Sequence, residues 1–202
     1  MHAVPETNVP LVADMSSDIL SAAMDFNRFA LIYAGAQKNI GAAGVNLVVV
    51  DESVLGKVQR PLPSMMDYRE HIKNGSMLNT PPVFAIFVCM LTLRWLKSKG
   101  GIAGIETLNR KKAALVYDTL DAIPLFHTPV AKEDRSLMNV VFRVDDPSLE
   151  KEFQQICREN NMYGFTGHRS VGGFRLSLYN ALPYESVVAI TDLMSAFAKK
   201  KG

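Results

Sequence analysis

Two stretches of strand length, FALIYAGA (29–36) and VNLVVVD (45–51), are apolar along their whole run instead of at every second position. Strands of that kind belong to a sheet buried on both faces, because strict alternation is what a sheet with one wet face requires. A shorter β-prone run, VPLVAD (9–14), precedes them and ends in an acid. From Pro81 the period changes. TPPVFAIFVCMLTLRWLKSKGG sets Phe84, Phe87, Val88, Leu91 and Trp95 at helical spacing, and Gly100 and Gly101 end the pattern. Its most apolar part, 83–93, falls well short of the roughly 20 residues that cross a bilayer, and Arg94 follows directly. A core helix is expected there.

The second half has its own pattern. IETLNRKKAALVYDTLDA reads as an amphipathic helix, followed by a β-prone LMNVVFRV, a helix over about 147–160, a strand-like FRLSLYN and a closing helix over about 184–199. The sequence therefore predicts an α/β chain. Residues 1–100 form part of a large domain with a buried, mainly parallel sheet and helices, and residues 101–202 form a small α+β domain of β-α-β-α order. Only three strand candidates precede the helical change, whereas sheets average about 5 to 6 strands and an open apolar edge invites aggregation. The large domain is expected to be incomplete.

Composition excludes several classes of partner. With 22 Lys and Arg against 20 acids, the net charge of +2 creates no field that would favour nucleic acid or an anionic membrane. The tail from Lys199 to Lys201 reads as a solvated helix end. Cys89 and Cys157 lie far apart in apolar patterns without metal-ligand spacing, which predicts buried thiols and no metal site. The opening MHAVPETNVP has neither a basic region nor an apolar one, so the cytoplasm is the expected compartment.

Several positions have the residue types that chemistry needs. Lys38, in YAGAQKNIGAAG, lies between a strand and a glycine-rich turn; a partly desolvated amine there would be a nucleophile toward a carbonyl, while a solvated loop lysine is the plainer alternative. Asp14 ends a strand, where ligand groups of covered sheets gather, and an acid there can hold a protonated ring nitrogen or simply cap the next segment. Asn79 and Thr80 precede Pro81, the pattern of a helix start with the Thr80 hydroxyl as cap and Pro81 at the first helical position, whose backbone N–H groups also suit a phosphate. GHRSVGGFR places His168, Arg169 and Arg175 among glycines, and guanidinium groups fork onto carboxylates or phosphates. Solvated arginines on a polar hairpin are the alternative.

Taken in order and spacing, VPLVADMSSDILS, YAGAQKNIGAAG, LNTPP, RSLMNVVFR and GHRSVGGFRLSLYNALP resemble the phosphoserine aminotransferases, class V members of the fold-type-I pyridoxal phosphate enzymes. The resemblance covers essentially the whole chain. It implies pyridoxal 5'-phosphate as cofactor and transfer of an amine between L-glutamate and 3-phosphohydroxypyruvate, giving O-phospho-L-serine and 2-oxoglutarate, with a related oxo acid of the pyridoxine route as a further family substrate. Lys38 matches the lysine that carries the cofactor as a Schiff base and moves the proton. Asp14 matches the acid on the ring nitrogen, and Gln37 lies where the family contacts the cofactor. Asn79 and Thr80 match residues that reach the cofactor phosphate of the neighbouring subunit, implying a homodimer. Arg175 matches the arginine on the substrate α-carboxylate, while His168 and Arg169 match the pair at the distal anion.

The chain departs from the family by lacking the long portion that precedes the strand ending in Asp14, and with it roughly half of the active site. Two expectations follow: a phosphoserine transaminase half that works when completed, or a noncatalytic remnant whose sheet edge must be paired by another chain.

Overall fold

Strands β1 (Val12–Asp14) and β2 (Leu31–Gly35) lie side by side in parallel, with Asp14 opposite Tyr33. Strand β3 (Asn46–Val50) pairs with β2 in the antiparallel sense, Leu31 against Val50 and Gly35 against Asn46. This is the computed structural model of the chain, which describes residues 4–167 and 172–201. The sheet is thus mixed, and it belongs to the first of two compact units, Ala3–Lys99 and Gly100–Gly202.

In the first unit, Ala13, Ile32 and Ala34 turn to the buried face, where Met15, Ile19 and Phe29 from the β1–β2 connection close over them. The other face is not covered as the continuous apolar runs predict. Val12 and Tyr33 are exposed, and no residue of β3 is fully buried. Helix α1 (Tyr68–Lys73) is capped by the Asp67 carboxylate, which accepts from the Arg69 N–H at 3.0 Å. Helix α2 (Val83–Ser98) forms where the periodicity places it, but it is not a core helix within this chain. Ala85, Cys89 and Leu96 are buried, while Phe84 is 76% exposed and Val83, Phe87 and Leu91 also face outwards. A helix apolar on all sides carries the composition of an interior element, and among the described residues of its own unit none covers its outer sides. At Lys99 the helix closes onto the carbonyls of Trp95 and Leu96, and Gly100 follows at a φ of 87°, the left-handed conformation that ends helices.

The second unit packs two long helices, α3 (Gly101–Ala122) and α5 (Tyr184–Lys201), with α4 (Pro147–Glu159) and a ribbon of β4 (Asn139–Phe142) and β5 (Phe174–Ser177). Helix α4 starts on local signals: the Asp146 side chain accepts from the Ser148 N–H at 2.8 Å, and Pro147 occupies the first turn. Phenyl rings dominate the core. Phe153 lies 5.1 Å from Phe126, 5.4 Å from Phe174 and 5.1 Å from Phe197, ring centre to ring centre. Phe142 stacks on Phe174 at 4.9 Å across the ribbon.

A surface cluster ties α3 to the loop before β4. Arg135 donates to both Asp121 oxygens, at 2.9 and 2.7 Å, and lies 4.7 Å over the Tyr117 ring, whose hydroxyl donates to the Ser136 carbonyl at 2.9 Å. Hydrogen bonds and charge from Arg135, helped by Lys132, hold the Asp121 carboxyl down at about 2. A carboxyl whose folded value lies below its ordinary 3.8 stabilises the fold fully above that value, and the contribution is lost as pH falls toward about 2. Asp121→Asn is therefore expected to lower the thermal midpoint at pH 5 and to flatten its decline between pH 4 and 2. An acid decline as steep as that of the parent chain would assign the effect to other carboxyls.

Candidate active site

Because β1 and β2 run parallel, the residues just past both strands emerge at the same end of the sheet, the end where ligands bind in open α/β sheets. Asp14 closes β1, and Lys38 follows β2 by three residues. A turn at Met15–Ile19 leads away from Asp14, and its hydroxyls organise the site. Ser16 donates to Asp14 Oδ1 through its Oγ at 2.6 Å and its backbone N–H at 2.9 Å, and Ser16 Oγ accepts from the Gly35 N–H at 3.0 Å. Lys38 Nζ donates to Ser17 Oγ at 3.2 Å.

The electrostatics follow from these contacts. The Ser16 hydrogen bonds, side chain first and backbone second, hold the Asp14 carboxyl below its ordinary value, with Lys38 and Tyr33 adding to the effect against a small opposing cost of burial. Asp14 is therefore a carboxylate at neutral pH. The carboxylate and Lys38 are both exposed, so the amine is not desolvated by this chain alone. Asn39 is buried and anchors the lysine turn, donating through Nδ2 to the carbonyls of Ser17 at 3.2 Å and Ile19 at 3.1 Å. Gly41 fixes the turn's far side: a β-carbon there would stand 2.7 Å from Cys89 Sγ and 2.9 Å from its Cα, so α2 touches the turn through the missing side chain. Gln37 is exposed beside Lys38, and its amide folds back over Gly35.

Asn79 and Thr80 are exposed ahead of α2, with Asn79 Nδ2 donating to the Thr80 carbonyl at 3.1 Å. Thr80 does not cap the helix. Two consecutive prolines intervene, and since a residue before proline is driven out of the helical region, α2 begins only at Val83, with Pro82 at its cap and no side-chain hydrogen bond. The helix end still presents backbone N–H groups of the kind that attract anions.

In the second unit Arg175 lies on β5 opposite Val141, with Phe174 and Leu176 turned into the core and its own side chain exposed. Its N–H donates to the Phe165 carbonyl at 2.7 Å. With Arg143 and the backbone of Gly167 and Gly172 it lines a cavity of about 120 Å³. His168 and Arg169 lie outside the described residues. Among the described residues no group of His, Cys, Asp and Glu could hold a metal, and no helix is long and apolar enough to cross a membrane. Cys89 and Cys157 are buried free thiols.

The sequence reading passes over Ser16, Ser17 and Arg143. The serines carry a recognisable signal, since a serine two positions after an aspartate marks a side-chain-stabilised turn. Arg143 carries none, since it comes to line the same cavity as Arg175 only because β4, which it follows, pairs with β5.

The family model for class-V aminotransferases matches residues 1–190, and the chain belongs to that family. A phosphoserine aminotransferase of Flavobacterium johnsoniae is 54% identical over 196 residues, which cover 97% of this chain and 55% of that protein. A solved phosphoserine aminotransferase of Bacillus circulans subsp. alkalophilus superposes with a TM-score of 0.93 at 45% identity, covering 97% of this chain and 55% of that one. A pyridoxal phosphate-bound phosphoserine aminotransferase of Trichomonas vaginalis gives a TM-score of 0.90 at 38% identity over 95% of this chain and 55% of its own. The fold is therefore that of these enzymes, and the chain spans just over half the length of the relatives it matches.

Proposed function

We propose that this chain carries the lysine-bearing part of a phosphoserine transaminase, which uses pyridoxal 5'-phosphate to move an amine from L-glutamate to 3-phosphohydroxypyruvate. The observation that carries the reading is the placement of an ionised Asp14 and of Lys38 at the same end of two parallel strands. An amine, a carboxylate and a carboxamide side by side are the donor set that pyridoxal phosphate chemistry needs, so these residues fit the cofactor. When bound, that cofactor supplies an electron sink for the substrate's α-carbon.

The residues divide the remaining work. Asp14 would hold the proton on the cofactor's ring nitrogen, its own charge favoured by the Ser16 hydrogen bonds. Lys38 would hold the cofactor through its aldehyde carbon, with loss of water, and would move the proton at the substrate α-carbon, with Ser17 Oγ accepting from the free amine. Gln37 would contact the cofactor beside Lys38, and Asn79 and Thr80 would offer polar groups to its phosphate across a homodimer interface. Arg175 forks onto the α-carboxylate, and His168 and Arg169 take the distal anion shared by glutamate and phosphoserine. In this reading residues 1–100 are part of the large domain and residues 101–202 are the small domain, the compartment is the cytoplasm, and the related oxo acid of the pyridoxine route is a second substrate.

A second reading rests on the exposed face of α2 and on the 55% coverage of the relatives: the chain alone is noncatalytic and needs a complementing partner to enclose the lysine. The test is the intact mass of the chain after pyridoxal phosphate and borohydride, with Lys38→Ala alongside. One phosphopyridoxyl adduct that vanishes in the variant is expected. Label spread over surface lysines and unchanged in Lys38→Ala would overturn the assignment of Lys38.

A further inference from the structure

Lys112, on α3, has no part in the proposed chemistry, yet it is fully buried. Its Nζ donates to the backbone carbonyls of Leu178 at 2.9 Å, Tyr179 at 2.8 Å and Leu182 at 3.3 Å. An ammonium has three N–H donors, and here each has a carbonyl. Burial draws its pKa down to about 8, and carbonyl acceptors favour the charged form, so the proton is in place at pH 7. One turn earlier on the same helix face, the buried Asn109 donates through Nδ2 to Asn180 Oδ1 at 2.8 Å. The two side chains together tether the segment between β5 and α5 to the longest helix of the unit.

That segment begins one residue after the strand that carries Arg175. The strand forms a two-stranded ribbon with β4 over four residue pairs, and on its other edge the Arg175 N–H reaches the Phe165 carbonyl at 2.7 Å. Ribbon pairing fixes β5 sideways, the Leu178 N–H reaches the Met138 carbonyl at 2.7 Å, and Phe174 packs on Phe153 of α4 with ring centres 5.4 Å apart. Apolar packing of this kind sets no exact position along the strand, which directed polar contacts to α3 can set. We infer that Lys112 is a positioning residue for the carboxylate-binding Arg175, its ammonium pinning the end of β5 to α3 through three backbone carbonyls and so fixing where the guanidinium stands. The inference rests on the reading of Arg175 as a carboxylate site. Methionine at 112 would fill the volume and supply no donor. All three carbonyls would then lose the ammonium, that of Tyr179 keeping only the Leu182 N–H at 2.9 Å, and the segment would move to bring the Leu178 and Leu182 carbonyls to water. A guanidinium displaced by about 1 Å loses much of its fit to a forked carboxylate.

The experiment follows glutarate, a dicarboxylate, binding to the nitrogen-15 labelled chain through the side-chain Nε–H signal of Arg175, assigned by its loss in Arg175→Gln. The parent chain is expected to saturate, and Lys112→Met, at a temperature where its amide spectrum stays dispersed as in the parent, is expected to bind about tenfold more weakly or worse. A merely structural lysine would lower the melting temperature and leave the affinity of the folded variant untouched, and that result overturns the proposal. If Lys112→Met does not fold, Asn109→Ala decides, since it loosens the same tether and keeps the ammonium. A loss of about threefold is expected from a single neutral hydrogen bond, and unchanged affinity overturns the proposal. If the parent does not bind glutarate, or Arg175→Gln binds it equally well, the carboxylate reading of Arg175 falls first and takes this inference with it.

Discussion

Truncating Phe153 to alanine is expected to destabilise the Gly100–Gly202 unit by about 3–5 kcal/mol, the usual cost of removing a buried aromatic ring. The ring has no exposure and touches the rings of Phe126, Phe174 and Phe197, so its loss removes apolar burial and edge contacts and leaves a cavity that three rigid neighbours cannot close. Domains of this size are stable by only about 5–15 kcal/mol in total. Hydrogen exchange at the amides of β4 and β5 measures the effect where it arises, and protection there should fall by about a hundredfold or more, the factor that 3 kcal/mol implies. Tyr163→Ala serves as reference, because that ring is 73% exposed and surface changes of this kind stay within about 0.5 kcal/mol. Unchanged exchange in Phe153→Ala would mean that the phenyl cluster is not the core of the unit.

Gly167→Ala is expected to disrupt the site itself. The Gly167 N–H donates to the Gly173 carbonyl at 2.8 Å, and a β-carbon at 167 would run into the Gly172 carbonyl oxygen and stand 2.9 Å from that of Gly173. These are backbone atoms and cannot swing aside as a flexible side chain would. On the other side Gly173 has a φ of 66°, with only 2.7 Å between a built β-carbon and the Phe142 carbonyl, so it cannot retreat into the ribbon. The arms at 167 and 172–173 must part, which costs at least the roughly 1–3 kcal/mol of an overpacked core. Arg175 is two residues further on. Glutarate affinity should accordingly fall by about tenfold or more, together with loss of the Gly167 amide's protection from exchange. A variant that binds and exchanges like the parent would show that these two arms are not in contact.

How far the sequence carries depends on how local each cause is. The start of α4 is legible because Asp146 and Pro147 are cap and first turn in one place, and Asp14 and Lys38 are legible because each follows a strand by a few residues. The start of α2 is misread by treating Thr80 as the cap, since the pattern of a threonine before proline hides the effect of the second proline. Periodicity also tells which residues are apolar without telling what meets them: α2 and the face bearing Val12 and Tyr33 read as interior, yet among the described residues they stand exposed. Lys112 is invisible for a different reason. In NRKK it looks like one of several solvated cations, and its acceptors lie 66 to 70 positions further along.

The outward-facing Phe84, Phe87 and Leu91 of α2 also govern the chain's colloidal behaviour. A formal net charge of +2 gives copies little mutual repulsion, so exposed phenyl groups are held apart mainly by dilution. Dispersion should then worsen with protein concentration and with sulfate or phosphate, salts that strengthen apolar association, and improve at pH values that move the net charge away from zero.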